Sequence, residues 1–261
     1  MRKLNLNIPE TWKGLHKKEL KYIGFLYSQE LEESEFLAYA FIYLSGLKIM
    51  SRRMHYSYLT GENLQWFKVK GEKPFLLSTV QIAEHAEAVR YLLKIDEVNP
   101  IRWLRGRRVC HPRLFRVPLR QYLTMENFFQ AYAHTKEERY LDQLIASAYH
   151  FPWQKFSDEK VQKRAKAFKG LSLATKMTIF LFYGGVRVYL KREYPKLFTE
   201  STGSEPPDMK QQFRTILRSL NKGNIAENDR ILNADVHDAL AELDALMQEQ
   251  EEQKRRNKRK Q

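Results

Sequence analysis

One cysteine, Cys110, is all that 261 residues provide, so no disulfide can form within the chain and a reducing compartment is expected. Glycine and proline are sparse as well, at 11 and 9 residues, which excludes a collagen-like chain, a loop-rich disulfide scaffold and a mostly disordered polymer. Long apolar runs are missing too. The longest, Met177 to Val186, is bounded by Lys176 and Arg187, whereas a bilayer span needs about 20 apolar residues. No membrane partner is expected. The basic start Met1-Arg2-Lys3 has no apolar stretch behind it, which argues against a signal peptide. The chain reads as a soluble, cytoplasmic protein.

The signatures of chemistry are equally scarce. Cys110-His111 is the one Cys/His neighbour pair, and His16, His55, His85, His134, His150 and His237 lie scattered. Structural zinc wants four ligands, usually in close pairs, so no metal site is expected. Adjacent residues point apart, which also disqualifies Cys110 and His111 as nucleophile and base. Gly184-Gly185 lies in a helical pattern and lacks the lysine and Ser/Thr of a phosphate loop. The carboxylate pairs, Glu84 with Glu87 and Glu137 with Glu138, fit solvated helix faces and first turns. The reading is a non-enzymatic protein with no catalytic residue and no cofactor.

What the chain does have is rings and positive charge. Fifteen Phe, 14 Tyr and 4 Trp predict a core that leans on aromatics. The formal net charge is +14. Lys254, Arg255, Arg256, Lys258, Arg259 and Lys260 supply six charges near the C-terminus, and more than half of the excess therefore lies elsewhere. Its densest part is Ile101 to Leu123, with Arg102, Arg105, Arg107, Arg108, Arg113, Arg116 and Arg120 and no carboxylate.

Periodicity predicts a mainly α fold: a multi-helix globular domain with a minor β hairpin and a short N-terminal strand, plus a helical C-terminal arm. Lys3 to Ile8 alternates as a strand. Glu35 to Lys48 reads as a central helix, apolar on nearly every side. Gln65 to Leu77 reads as a hairpin turning at Lys70-Gly71-Glu72-Lys73, and Ser78 as the cap of a helix reaching about Lys94. Pro100, Pro112 and Pro118 predict irregular structure from Ile95 to Pro118. Helices are then expected from Thr124 to about His134, over Lys136 to Tyr149, from Ser157, and from about Ser172 to Tyr194-Pro195. Residues 1–198 should form the core domain and Thr199 to Pro207 a linker. A helical segment should cover 208–250, with one helix from Asp208 to Leu220 and another starting at Asp235. A basic disordered tail is expected over 251–261.

Crowded guanidinium groups need an anion from somewhere, and three sources are open. They can pair with this chain's own Asp and Glu, while Trp103, Leu104, Leu114 and Phe115 anchor the loop on the core. An acidic protein partner can supply the carboxylates. Nucleic acid can supply phosphates, with Trp103 and Phe115 as rings among the cations. The basic C-terminus would add sequence-independent, salt-sensitive binding.

Three stretches carry a family resemblance. Leu4-Asn5-Leu6-Asn7-Ile8-Pro9-Glu10-Thr11-Trp12 is a strand followed by a Pro-X-X-Trp entry into a helix. Pro118-Leu119-Arg120-Gln121-Tyr122-Leu123-Thr124 leads into helices that end Leu141-Asp142-Gln143-Leu144-Ile145-Ala146-Ser147-Ala148-Tyr149. Ile216-Leu217-Arg218-Ser219-Leu220-Asn221-Lys222-Gly223-Asn224-Ile225 is followed by Ala239-Leu240-Ala241-Glu242-Leu243-Asp244. Together they resemble accessory morphogenesis proteins of tailed bacteriophages and prophages, similar to tail assembly chaperones. The resemblance implies a helical, non-enzymatic protein that helps build the virion tail and has a virion component as its protein partner. It leaves the arginine segment and the basic end outside its pattern.

Overall fold

The apolar spacings become helices. In a computed structural model, which describes residues 6–50, 55–57, 61–71, 73–198, 218–221 and 224–260, the first elements are α1 (Lys17–Tyr27), α2 (Glu33–Leu44), β1 (Lys48–Ile49), β2 (His55–Ser57), β3 (Glu62–Lys68), β4 (Phe75–Ser78) and α3 (Thr79–Ala86). Then come β5 (Trp103–Leu104), β6 (Arg107–Val109), α4 (Leu119–Thr135), α5 (Glu138–Ala148), β7 (Tyr149–His150), α6 (Glu159–Ala165) and α7 (Leu173–Glu193). Short α8 (Asn228–Asn233) and long α9 (Val236–Lys260) complete the set. The protein is mainly helical with a minor β component.

The chain forms two compact units. The first comprises Met1–Asn99 with Ser172–Leu181. In α1, Leu20, Ile23 and Gly24 recur at helical spacing and are buried. In α2, Phe36, Leu37, Ala40, Phe41 and Leu44 turn inward, but Tyr39 and Tyr43 stay exposed. The helix expected to be central therefore has an open aromatic face. The expected hairpin forms: β3 pairs antiparallel with β4, with Trp66 opposite Leu76, and also with β1 and β2. Ser78 caps α3 through a reciprocal box with Gln81, its Oγ accepting from the Gln81 amide at 3.1 Å. Beyond Ala86 the expected helix tightens to a 3-10 turn over Glu87–Leu93. Its terminal carbonyls are taken up by Trp12, whose Nε1 donates to Lys94 at 2.8 Å. Of the predicted N-terminal strand, residues 3–5 lie outside the described residues, and Leu6 to Ile8 form no strand.

The second unit comprises Pro100–Leu171 with Phe182–Gln261. Here α4 and α5 pack together, with buried Leu119, Met125, Leu141, Leu144 and Ile145 among their contributions to the core. Lys136 joins them in the left-handed conformation, φ 57°. α4 begins at Leu119, not Thr124, because Pro118 takes the cap position with its ring-fixed φ of −67°. Thr124 instead lies within the helix, its hydroxyl within hydrogen-bond reach of the Arg120 carbonyl at 2.8 Å and of Asp158 at 2.6 Å.

The predicted division at residue 198 falls elsewhere. α7 gives its first half to one unit and its second half to the other, so 1–198 is not one domain. The predicted linker over 199–207 lies outside the described residues. So does most of the helix expected from Asp208 to Leu220, of which 218–221 are helical. The C-terminal arm is not loose: Val236, Ala239, Leu240 and Leu243 are buried within the second unit, where α9 meets α4. The backbone stays helical to Lys260, so the expected disorder over 251–261 is corrected through residue 260. Residues 248–256 are mainly Glu, Gln, Lys and Arg, good helix formers. Glu252 and Arg256, one turn apart, add a pair at 3.8 Å.

Candidate functional site

The arginine segment lies wholly in the second unit, and it is more ordered than its prolines suggested. β5 and β6 form a hairpin closed by Arg105 and Gly106, both at positive φ (46° and 74°), the backbone signature of a tight two-residue turn matched to strand twist. β6 also pairs with β7, which extends the hairpin to a three-stranded sheet. Alternation then sorts the side chains. Leu104 and Arg107 stand opposite one another on one face, with Val109 opposite Tyr149. The other face carries Trp103 opposite Arg108 and Arg108 opposite His150.

After β6 the chain turns through buried Cys110 and Leu114. Leu114 and Arg116 both adopt left-handed φ of 58°, a conformation costing a side-chain-bearing residue about 1–2 kcal/mol. Asp235 offsets part of that cost: its Oδ2 accepts from the Arg116 amide at 2.7 Å, and its Oδ1 from the His237 amide at 2.8 Å. His237 completes the tie by donating from Nε2 to the Arg113 carbonyl at 2.6 Å. The Cys110 thiol takes no part. Burial pushes its pKa up to about 12, so iodoacetamide should leave it unmodified in the native protein and alkylate it fully in denaturant. Mass spectrometry checks this, and alkylation at equal rates in both states would contradict the packing of this turn.

The seven arginines have unlike fates. Arg120 is neutralised by its own chain, with Nη2 2.8 Å from Asp229 and Nη1 3.8 Å from Asp158. For that residue the anion comes from the chain's own carboxylates, the first of the three sources. Arg105 donates from Nη1 to the Ala167 carbonyl. Arg107 lies over the rings of Phe151 and Phe168, at 4.7 and 5.4 Å. Arg113 lies 5.1 Å from the Tyr189 ring centroid. Arg102, Arg108 and Arg116 are exposed and make no ion pair with any carboxylate among the described residues. Trp103 is 49% and Phe115 47% exposed. Phe115 rests on His111 and His237, with ring centroids 5.0 and 4.7 Å away. Neither ring is an anchor sunk in the core. His111 titrates below its ordinary value, first from burial and then from the nearby charges of Arg113, His237 and Arg108.

Arg105 and Arg107 tie the hairpin to a second basic segment that the sequence reading passed over. Between Phe151 and Leu171 the chain places Lys155, Lys160, Lys163, Arg164, Lys166 and Lys169 against only Asp158 and Glu159. All five lysines are exposed. Arg164 is buried, its Nη2 donating to the Ser157 carbonyl at 3.3 Å. Burial, followed by the charge of Arg107, pulls its pKa below the ordinary value. Trp153, 77% exposed, stacks on Phe151 at 5.0 Å. The local excess of lysine was a visible signal. What sequence could not show is that this segment adjoins the arginines, because β6 meets β7 through two-residue pairing across forty intervening positions.

Among the described residues, no group of three or more His, Cys, Asp or Glu side chains could hold a metal ion. No described helix is long and apolar enough to cross a membrane. No family model, curated protein or solved structure matches this chain.

Proposed function

We propose that the chain is a non-enzymatic interaction protein of the virion-assembly type, which docks an anionic macromolecule through the arginine-dense segment of its second unit. One observation carries the docking: Arg102, Arg108 and Arg116 are exposed, with no ion-pair partner among the described residues, beside half-exposed Trp103 and Phe115. Like charges crowded along a short segment repel one another, and a bound anion removes that repulsion. The assembly role rests on the resemblance to tail-assembly accessory proteins.

Retention on immobilised heparin, a generic polyanion, tests the docking. Replacing Arg102, Arg108 and Arg116 together by glutamate should abolish retention at physiological salt. Replacing Lys17, Lys18 and Lys68 of the first unit by glutamate changes net charge equally and should leave most of it. Equal losses from the two triple variants would show that net charge, and not this segment, does the binding.

A further inference from the structure

We infer that Arg107 and Arg164 form a binding site for a phosphate group, free or carried as a monoester, on the face of the β5–β7 sheet turned away from Arg108. It does not rest on the docking proposed above, which uses Arg102, Arg108 and Arg116.

Two elements bring these guanidinium groups together. Strand alternation in β6 sets Arg107 and Arg108 on opposite faces. Arg107 lies 4.7 Å from the Phe151 ring and 5.4 Å from the Phe168 ring. Phe168 follows Arg164 by four residues through a tight turn, in which the Ala167 amide donates to the Arg164 carbonyl at 3.0 Å and the Phe168 amide to the Ala165 carbonyl at 2.9 Å. Both Arg164 and Phe168 turn inward. The charge of Arg107 is felt at Arg164, whose pKa falls below its ordinary value from burial first and from Arg107 second.

The pair holds more donors than its surroundings accept. Arg164 is 8% exposed, yet its guanidinium reaches one acceptor, the Ser157 carbonyl, 3.3 Å from Nη2. Its Nε and Nη1, together with Nε of Arg107, are enclosed without a hydrogen-bond partner among the described residues, and these three nitrogens carry four N–H donors. The rings of Phe151, Phe156 and Phe168 offset positive charge but give those donors no lone pair. Neither guanidinium makes an ion pair with a carboxylate among the described residues. Asp158 acts on Arg164 through its charge, but it lies 3.8 Å from Arg120 and within hydrogen-bond reach of the Thr124 hydroxyl at 2.6 Å.

A buried charge with unfilled donors is costly, and arginine does not relieve the cost by losing its proton. Water can accept from the donors but cannot cancel the charge. An anion does both. A carboxylate is planar and singly charged, which suits one guanidinium fork. A phosphate group sets its oxygens tetrahedrally and carries about two negative charges, which suits two forks offered by a strand and a helix.

Isothermal titration calorimetry of the full chain tests the site, using sodium phosphate, phenyl phosphate and sodium acetate at constant ionic strength. Phosphate should bind saturably at one site per chain, and acetate about tenfold more weakly or less. R107M and R164M should each weaken phosphate binding about tenfold or more. R230M, at an exposed position of α8, should leave it unchanged. R107M alters a half-buried side chain and keeps the test decisive if R164M does not fold. Tighter binding of phenyl phosphate than of inorganic phosphate assigns a monoester, and equal binding assigns the free ion. Absence of saturable phosphate binding, acetate binding as tight as phosphate, or unchanged affinity in R107M overturns the site.

Discussion

Gly24→Ala should lower the melting temperature by about 8–16 °C, although alanine is the better helix former. A Cβ at Gly24 would stand 2.6 Å from the Ala174 carbonyl oxygen, 2.7 Å from Thr178 Oγ1 and 2.9 Å from the Thr178 amide nitrogen. Two of these atoms are backbone of α7, so no side-chain rotation relieves the clash. The contact is also polar. Thr178 Oγ1 lies within hydrogen-bond reach of the Leu20 carbonyl, at 3.1 Å, and of the Ala174 carbonyl, at 2.8 Å. Separating the two helices would loosen that tie. Alanine gains about 1 kcal/mol in helix propensity, while forcing a methyl into a close-packed contact costs about 3 kcal/mol. The balance is a loss of about 2 kcal/mol, and 1 kcal/mol shifts Tm by roughly 4–8 °C in a domain near 100 residues. Gly24→Val adds further bulk and should leave the first unit unfolded. Gly14→Ala is the control, since its Cβ meets nothing closer than 3.4 Å. Thermal unfolding by circular dichroism decides the matter, and a Gly24→Ala protein as stable as the parent refutes the close approach of α1 to α7.

The second large effect is expected at Asp235. Its carboxylate caps α9 through the His237 amide and holds the Arg116 amide of the left-handed turn. The same point carries an isolated bridge between Pro118 and Asp235, with Leu119 N–H donating to Ala234 and Val236 N–H to Val117, each at 2.9 Å. Asp235→Ala removes a helix cap worth about 1 kcal/mol. It also removes a charged acceptor worth about 1.5–3 kcal/mol, so the summed destabilisation should be about 3 kcal/mol. Asp235→Ser retains an oxygen for the cap but is too short to serve both amides, and should lie between. Hydrogen exchange gives the sharper readout. The Arg116 and His237 amides should lose protection in Asp235→Ala while α5 keeps its own. Unchanged protection at Arg116 would mean that the turn is held by its buried Leu114 alone.

Local signals carried much of the fold. Ser78 reads as a helix cap and serves as one, in a reciprocal box with Gln81. Asp235 before Val236 reads as a helix start and serves as one. The hairpin of β3 and β4 needs only a short turn between its strands. Each of these is decided within a few residues, where sequence and geometry say the same thing. The sheet of β5, β6 and β7 was missed because its strands are two or three residues long and carry no usable period. A left-handed arginine at its turn is also a conformation that sequence rules assign to glycine or asparagine.

The candidate site divides the same way. The density of positive charge was legible, since it is a count along the chain. Which charges remain unmatched was not, because Arg120 finds Asp229 and Asp158 through the placement of α4, α6 and α8. A mainly helical protein with an arginine-dense segment and no disulfide within the chain is legible residue by residue, because helix periodicity, caps and composition are local or additive properties. The sharing of α7 by two units, the packing of the C-terminal helix in the second, and the meeting of a lysine-rich segment with Arg105 and Arg107 emerge in three dimensions. Those outcomes depend on contacts between residues far apart in the chain, whose energies come from burial and pairing in three dimensions.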